Sequence, residues 1–200
     1  MKLTEMTNAV ERIKDLIISR QESLLECLNF GACEASFRTF KQKTAVLLPE
    51  SFYDFYTLFN GVSLKTLAIW SNASLLPLSD IVTEKLKIDK LMAAAPFNQS
   101  VKNNQKLIPF LSDYKKSFVC IDTSGVFNQL SGSIVELDFE NGNFSVVAEN
   151  LDEWFEILSK LLEEFDNDIV IKNKEFKDFF NLNSEKVINN LNPEFPLQII

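Results

Sequence analysis

The sequence contains no histidine. Without an imidazole, the Ser-His and Cys-His arrangements that activate most hydrolytic nucleophiles cannot form. Glycine is scarce as well, with five residues in 200. The chain has no Gly-x-Ser-x-Gly elbow, no Walker loop and no Gly-x-Gly-x-x-Gly fingerprint. We therefore predict that the protein is not an enzyme, although acidic pairs that act as acid and base or bind magnesium stay open as an alternative.

The cysteines are also few. Cys27, Cys33 and Cys120 form no Cys-x-x-Cys pair and are too scattered to build a Cys/His zinc site, so we expect no metal and no cofactor. The first ten residues lack the apolar segment of a secretory signal, and no apolar run reaches the roughly 18–20 residues of a membrane span. These features favour the reducing cytoplasm, with the cysteines as small buried hydrophobes.

Charge is distributed unevenly along the chain. The formal net charge of the whole chain is −8. Residues 1–48 hold seven basic and six acidic side chains, a net charge of +1, whereas residues 49–200 hold thirteen basic and twenty-two acidic ones, a net charge of −9. Because nucleic acids and anionic membranes attract basic surfaces, direct binding to either is disfavoured. A basic protein partner is favoured.

Apolar periodicity predicts several helices. A long amphipathic helix is expected before the Asn29-Phe30-Gly31 stop signal, and a second helix over about residues 34–43. Residues 49–61 predict the clearest helix, with an aromatic stripe that we assign to the core: Phe52, Phe55, Tyr56 and Phe59. Ser79 is expected to cap a further helix, and Asn150 to cap another together with Glu153, as a capping box. Residues 169–200 predict a weaker helical tail.

Strand signals lie mainly between residues 107 and 148. Residues 67–70, 107–110, 117–122, 133–140 and 144–148 are candidate strands, and Asn141-Gly142 is a typical tight-hairpin dipeptide. The polar stretch from about residue 96 to residue 106 is expected to be a loop. Together with the helices, these strands predict an α+β fold, with the strands from residue 107 onward forming a meander.

The candidate binding residues are acidic. In the strand predicted over residues 133–140, Val135, Leu137 and Phe139 share one face, whereas Glu136, Asp138 and Glu140 share the other. Such a row of carboxylates is repulsive unless water or a cationic partner satisfies it. Either these acids form a solvated face that aids solubility, or they form a docking surface for a basic partner. We assign the docking surface to six residues: Glu136, Asp138, Glu140, Asp152, Glu153 and Glu156.

Four motifs in order resemble the SUKH superfamily, which contains bacterial immunity proteins and fungal cell-wall-assembly regulators. They are LPESFY…NG in residues 48–61, LPLSDIV in 76–82, LIPF…FVCID in 107–122, and GSIVEL…VVA…LDEWF in 132–155. The sequence departs from the family pattern at Lys116-Ser117, where a Gly-Asp dipeptide is expected. The resemblance covers about residues 31–165 and implies a SUKH-like α+β domain with a central antiparallel-rich sheet packed by helices. We expect it to form one compact unit with an N-terminal amphipathic helix (1–30) and a C-terminal helical tail (166–200).

The resemblance also implies a function. Immunity proteins of this family are encoded beside polymorphic toxins, often nucleases, and bind them without catalysis. We therefore expect an immunity protein that neutralises a basic cognate toxin, as a monomer or a weak homo-oligomer. The alternative is a signalling or cell-wall-linked scaffold of the same superfamily.

Overall fold

The computed structural model describes residues 3–20, 22–65, 67–104, 106–165, 167–170 and 173–199. Helices and strands alternate irregularly along these residues. The helices are α1 (Leu3–Arg20), α2 (Glu22–Cys27), α3 (Glu34–Thr44), α4 (Glu50–Leu58), α5 (Leu78–Ala94), α6 (Gln99–Asn104), α7 (Leu151–Glu164) and α8 (Asn173–Leu191). The strands are β1 (Leu28–Phe30), β2 (Phe59–Val62), β3 (Ser74–Leu75), β4 (Leu107–Ser112), β5 (Ser117–Asp122), β6 (Ser133–Asp138), β7 (Asn143–Ala148) and β8 (Leu197–Gln198).

An antiparallel sheet of six strands is the centre of the fold. Its strand order is β3-β4-β5-β6-β7-β8, so each strand pairs with its neighbour in the chain. A smaller sheet joins β1 to β2. The predicted α+β fold with an antiparallel sheet packed by helices is therefore confirmed. In the described part of the chain, no helix is long and apolar enough to cross a membrane.

The two faces of the sheet bury separate sets of side chains. One face, with Val119, Ile121 and Ile134, packs against α7 in what we call the main core; its largest fully buried members are Trp70, Trp154, Tyr56, Phe52, Phe155 and Phe176. The other face, with Phe118, Cys120 and Leu137, packs against Ile88 and Met92 of α5 in a second core. Because side chains alternate along a strand, α5 and α7 cover opposite faces of the sheet.

The predicted aromatic stripe and both tryptophans are buried in the main core. Phe52 and Tyr56 lie 4.5 Å apart between ring centroids, and Phe55 contacts Phe155 of α7 at 4.8 Å. Trp70 and Trp154 lie 5.0 Å apart and are fully buried. The prediction that these rings form core rather than a ligand cage is therefore correct.

The chain ends differ from the expected helices. Within the segment expected to be a single amphipathic helix, the described residues form two helices, α1 and α2, followed by β1. In the C-terminal segment, α8 packs on α7 through Phe165 and Phe176, whose ring centroids are 5.2 Å apart. The chain then adds β8 to the edge of the sheet beside β7. The tail is therefore only partly helical.

Several local predictions were wrong. Residues 67–70 form no strand; one bridge joins Trp70 to Ala73. The segment expected to be a loop contains α6. Ser79 does not cap α5, because the helix begins at Leu78 with Pro77 at the cap position. Among the cysteines, Cys120 is buried and Cys27 is partly buried, but Cys33 is exposed.

Candidate partner-binding surface

The six predicted acidic residues lie in two separate groups. The strand-end group contains Glu136, Asp138 and Glu140, where β6 turns into β7. The helix-start group contains Asp152, Glu153 and Glu156, at the beginning of α7. Strand β7 runs from the turn to α7, and its five residue steps span about 17 Å. The structure therefore places the turn with Glu140 at the opposite end of β7 from α7, whereas Glu136 lies beside the middle of β7, opposite Ser145.

Glu136 is the most enclosed acid of the strand-end group. It lies on central strand β6, opposite Val119 of β5 and Ser145 of β7, and is only partly exposed. Burial, and then repulsion from Asp138, raise the pKa of the Glu136 carboxyl to about 7. The indole N–H of Trp70 lies close to this carboxyl and opposes the rise in pKa, although it does not reach hydrogen-bonding geometry.

Asp138 closes the turn at the end of β6. Its Oδ1 accepts hydrogen bonds from the backbone N–H groups of Glu140 (2.9 Å) and Asn141 (3.1 Å), and its Oδ2 accepts one from Asn141 Nδ2 at 2.7 Å. Strand β6 ends here, two residues before the predicted end, so Glu140 lies in the turn and is exposed. Asp138 therefore stabilises the turn, whereas the Glu140 side chain has no hydrogen-bond or ion-pair partner among the described residues.

The beginning of α7 is a capping box, as predicted. Asn150 Oδ1 accepts a hydrogen bond from the Glu153 backbone N–H at 2.9 Å, and Glu153 Oε2 accepts one from the Glu149 backbone N–H at 2.6 Å. These bonds satisfy N–H groups that the first helical turn leaves free. In the same turn, Asp152 Oδ1 is shielded from solvent and has no hydrogen-bond partner among the described residues.

Glu156 joins α7 to α1 rather than facing an open surface. Arg12 of α1 donates two hydrogen bonds to Glu163, at 2.8 and 2.5 Å, and lies 3.5 Å from Glu156. The hydrogen bond to Glu163 is the main cause that raises the pKa of the Arg12 guanidinium. The acidic side of α7 thus contributes to holding the N-terminal helix in place.

We expect Arg12→Ala to lower the free energy of unfolding by about 1 kcal/mol, because the ion pairs are bidentate but more than a third exposed. Urea unfolding at low salt measures this loss. Lys14→Ala is the matched control, since Lys14 forms an ion pair with Glu11 of its own helix, and it should change stability by less than about 0.5 kcal/mol. Equal losses in both variants would show that Arg12 does not fasten α1 to α7.

Apart from Asp138, the sequence did not single out the residues that surround Glu136. Ser71, Asn72, Ser117 and Asp138 line a small cavity together with this carboxyl group. Residues 71 and 72 belong to the turn after Trp70, and Ser71 adopts a left-handed backbone conformation with φ of 49°. This turn meets β5 and β6 only in the folded chain, so strand alternation alone gave no signal for the cavity.

The motifs at Asn60-Gly61 and Leu76–Ser79 contact each other. Asn60 Oδ1 accepts a hydrogen bond from the Leu78 backbone N–H at 2.9 Å, and the Tyr56 hydroxyl donates one to the Leu76 carbonyl at 2.8 Å. Gly61 has a φ of 81°, and a Cβ atom there would lie 2.3 Å from the Pro77 nitrogen. The residues of these two motifs therefore have structural roles. The surface acids remain the candidate binding site.

Catalytic and metal chemistry find little support in the described part of the chain. It contains no group of three or more Cys, Asp or Glu side chains placed to hold a metal ion. A cavity of about 350 Å³ lies between α3 and the beginning of α5. Its polar lining residues are Ser36, Thr39, Lys43, Asn60 and Ser79, and none of its lining residues is acidic.

A family model described as the SMI1 / KNR4 family (SUKH-1) matches residues 31–157, which is more than half of the chain. This range contains the main sheet from β3 to β7 and the first half of α7, but neither α1 nor α8. No curated protein matches the chain.

Proposed function

The chain belongs to the SMI1/KNR4 (SUKH-1) family, and on this premise we propose that it is a non-catalytic immunity protein that binds and neutralises a cognate toxin. The family includes toxin immunity proteins and fungal cell-wall regulators, and it is generally non-catalytic. The partner that we propose is a basic nuclease domain, and the binding surface is acidic. The observation on which this proposal rests is the family match together with the acidic surface of the same domain.

Charge supports the choice of partner. Residues 136–168 contain eleven acidic side chains and one basic side chain, Lys160. A nuclease domain must attract phosphates and therefore presents basic side chains. An acidic protein surface matches such a domain, speeds its association and covers the surface that would otherwise hold nucleic acid.

The strand-end group is more available to a partner than the helix-start group. Glu140 is exposed, and no basic side chain forms an ion pair with Glu136, Asp138 or Glu140 within the described ranges. In the helix-start group, by contrast, Glu153 and Glu156 already have internal partners. We propose that the strand-end group makes the first contacts and that the helix-start group adds to the local field.

Co-expression with the toxin encoded beside the gene tests this function. We expect cells that produce both proteins to survive, and the two proteins to purify as one complex at moderate salt. Death of the cells, with no complex recovered, would contradict the proposal. Recovery of several signalling proteins and no toxin would point to the scaffold role.

Glu140→Lys tests the proposed surface with little risk to the fold, because the Glu140 side chain makes no contact that the turn requires. We expect its association rate with the toxin to fall by about tenfold at low salt, with a smaller change in the dissociation rate. Glu26→Lys makes the same change of charge at an exposed residue of α2, outside the six-stranded sheet that contains β6. If both variants associate at the same rate, the contact surface lies elsewhere.

A further inference from the structure

A small cavity lies beside β6, on the side of the sheet that carries Glu136. Its volume is about 40 Å³, and its polar lining comes from Ser71, Asn72, Ser117, Glu136 and Asp138. The rim is accessible, because Asn72 is exposed and Ser71, Ser117 and Asp138 are partly exposed. A water molecule needs about 15 Å³ of such space. The cavity therefore accepts a group of two or three heavy atoms, and nothing much larger.

The cavity is negatively charged and holds no basic side chain of its own. Lys115 and Lys116, in the turn between β4 and β5, are exposed and form no ion pair with Glu136 or Asp138. An acid on a central strand without a cationic partner is unfavourable in the free protein. The stability of the free protein therefore does not explain why a glutamate occupies position 136.

The fully buried Trp70 precedes the turn residues Ser71 and Asn72 that line the cavity. Its indole N–H is shielded from solvent and has no hydrogen-bond partner by geometry, and it lies close enough to the Glu136 carboxyl to favour its negative form. A buried donor without a partner is rare in proteins. The nearby N–H group only partly offsets burial, which still raises the pKa of Glu136 to about 7, and a cation in the cavity would favour the charged carboxylate.

We propose that this cavity receives the ε-ammonium group of a lysine from the protein partner. This inference rests on the proposed function, since the lysine belongs to the toxin. The ammonium carries three N–H donors, and the two carboxylates together with the Ser71 and Ser117 hydroxyls supply enough acceptors for all three. A guanidinium has four heavy atoms, with five donors in a fixed fork, and therefore exceeds the two or three heavy atoms that about 40 Å³ accepts. The size of the cavity thus selects lysine over arginine.

The test uses the full-length protein and a lysine probe, so it does not need the toxin. Nα-acetyl-lysine methylamide is titrated to about 100 mM at constant ionic strength, and NMR follows the Trp70 indole N–H and the Glu136 carboxyl carbon. We expect a saturable shift of the Trp70 signal, and a fall of about one unit in the pKa of Glu136, because a cation within about 4–6 Å stabilises the carboxylate. The arginine and norleucine analogues should leave both signals unchanged.

Two variants complete the experiment. Glu136→Gln should abolish the response to the lysine probe and weaken binding of the toxin at least tenfold, whereas Glu140→Gln should keep the response. No saturable shift with the lysine probe, or an equal shift with the arginine or norleucine analogue, would overturn the lysine site. If the toxin binds the unaltered protein and Glu136→Gln equally well, the lysine site is wrong while the immunity function stands. If the probe binds but no toxin does, the proposed function fails independently of the cavity.

Discussion

Replacing Asp122 with alanine should lower the free energy of unfolding by about 3 to 4 kcal/mol. Asp122 ends β5 and is fully buried. Its Oδ1 accepts hydrogen bonds from the backbone N–H groups of Ser124 (2.9 Å) and Gly125 (3.1 Å) and from the Ser124 hydroxyl (2.6 Å). Its Oδ2 accepts one from the Phe127 backbone N–H at 3.2 Å. Alanine removes every acceptor and leaves these donors without a partner.

Urea unfolding at pH 7 measures this loss, and Asp113→Ala is the matched control. Asp113 also holds a turn, through the backbone N–H groups of Lys115 (2.8 Å) and Ser117 (2.9 Å), but water can replace it there because the turn is largely exposed. We expect the control to lose about 1 kcal/mol. Equal losses in the free energy of unfolding would mean that the burial of Asp122 does not increase its contribution to stability. A larger loss for Asp122→Ala than for the control would explain why the FVCID motif ends in an aspartate.

Glu136→Gln should stabilise the protein by about 3 kcal/mol at pH 8 and leave its stability nearly unchanged at pH 4.5. The pKa of Glu136 is about 7 in the folded chain and 4.5 without these surroundings. Between these two values the folded state keeps a proton that the unfolded state has lost, so stability falls as the pH rises through this window. At about 1.4 kcal/mol for each pKa unit, the loss reaches roughly 3 kcal/mol above pH 7. Glutamine carries no charge at either pH and therefore avoids this loss of stability.

Chemical denaturation of both proteins from pH 4.5 to pH 8 measures this difference. Glu140→Gln serves as the control, because Glu140 lies in the exposed turn and should change stability by less than about 0.5 kcal/mol at every pH. A difference between Glu136→Gln and the unaltered protein that stays constant with pH would contradict the burial of this carboxyl group. A carboxyl that destabilises the free protein is consistent with retention for binding rather than for folding.

Local patterns predicted the central parts of the fold. Strand β5 was predicted with its observed bounds, and the Asn150–Glu153 capping box is observed, because alternation and capping depend on neighbouring residues. Elements that depend on distant partners were missed. Strand β8 has only two residues and exists because it pairs with β7. Strand β1 interrupts the expected N-terminal helix because it pairs with β2.

The sequence predicted which residues belong to the candidate site, but it did not predict how they are arranged. Alternation placed Glu136 and Asp138 on one face of their strand, away from Val135 and Leu137. It could not reveal that the turn at Ser71 encloses Glu136, because that turn reaches the strand through tertiary packing. Nor could it show that Arg12, from the first helix, engages Glu156. Charge counts along a sequence therefore overstate how much acidic surface is free for a partner.

The association of the purified protein with the toxin encoded beside its gene tests the central claim most directly. Stopped-flow fluorescence measures the association rate between about 20 and 500 mM salt, a range over which exposed charges become screened. If an acidic surface captures a basic toxin, a stable complex forms and the association rate falls by tenfold or more as salt rises. The absence of a complex, or an association rate that does not change with salt, would contradict the account.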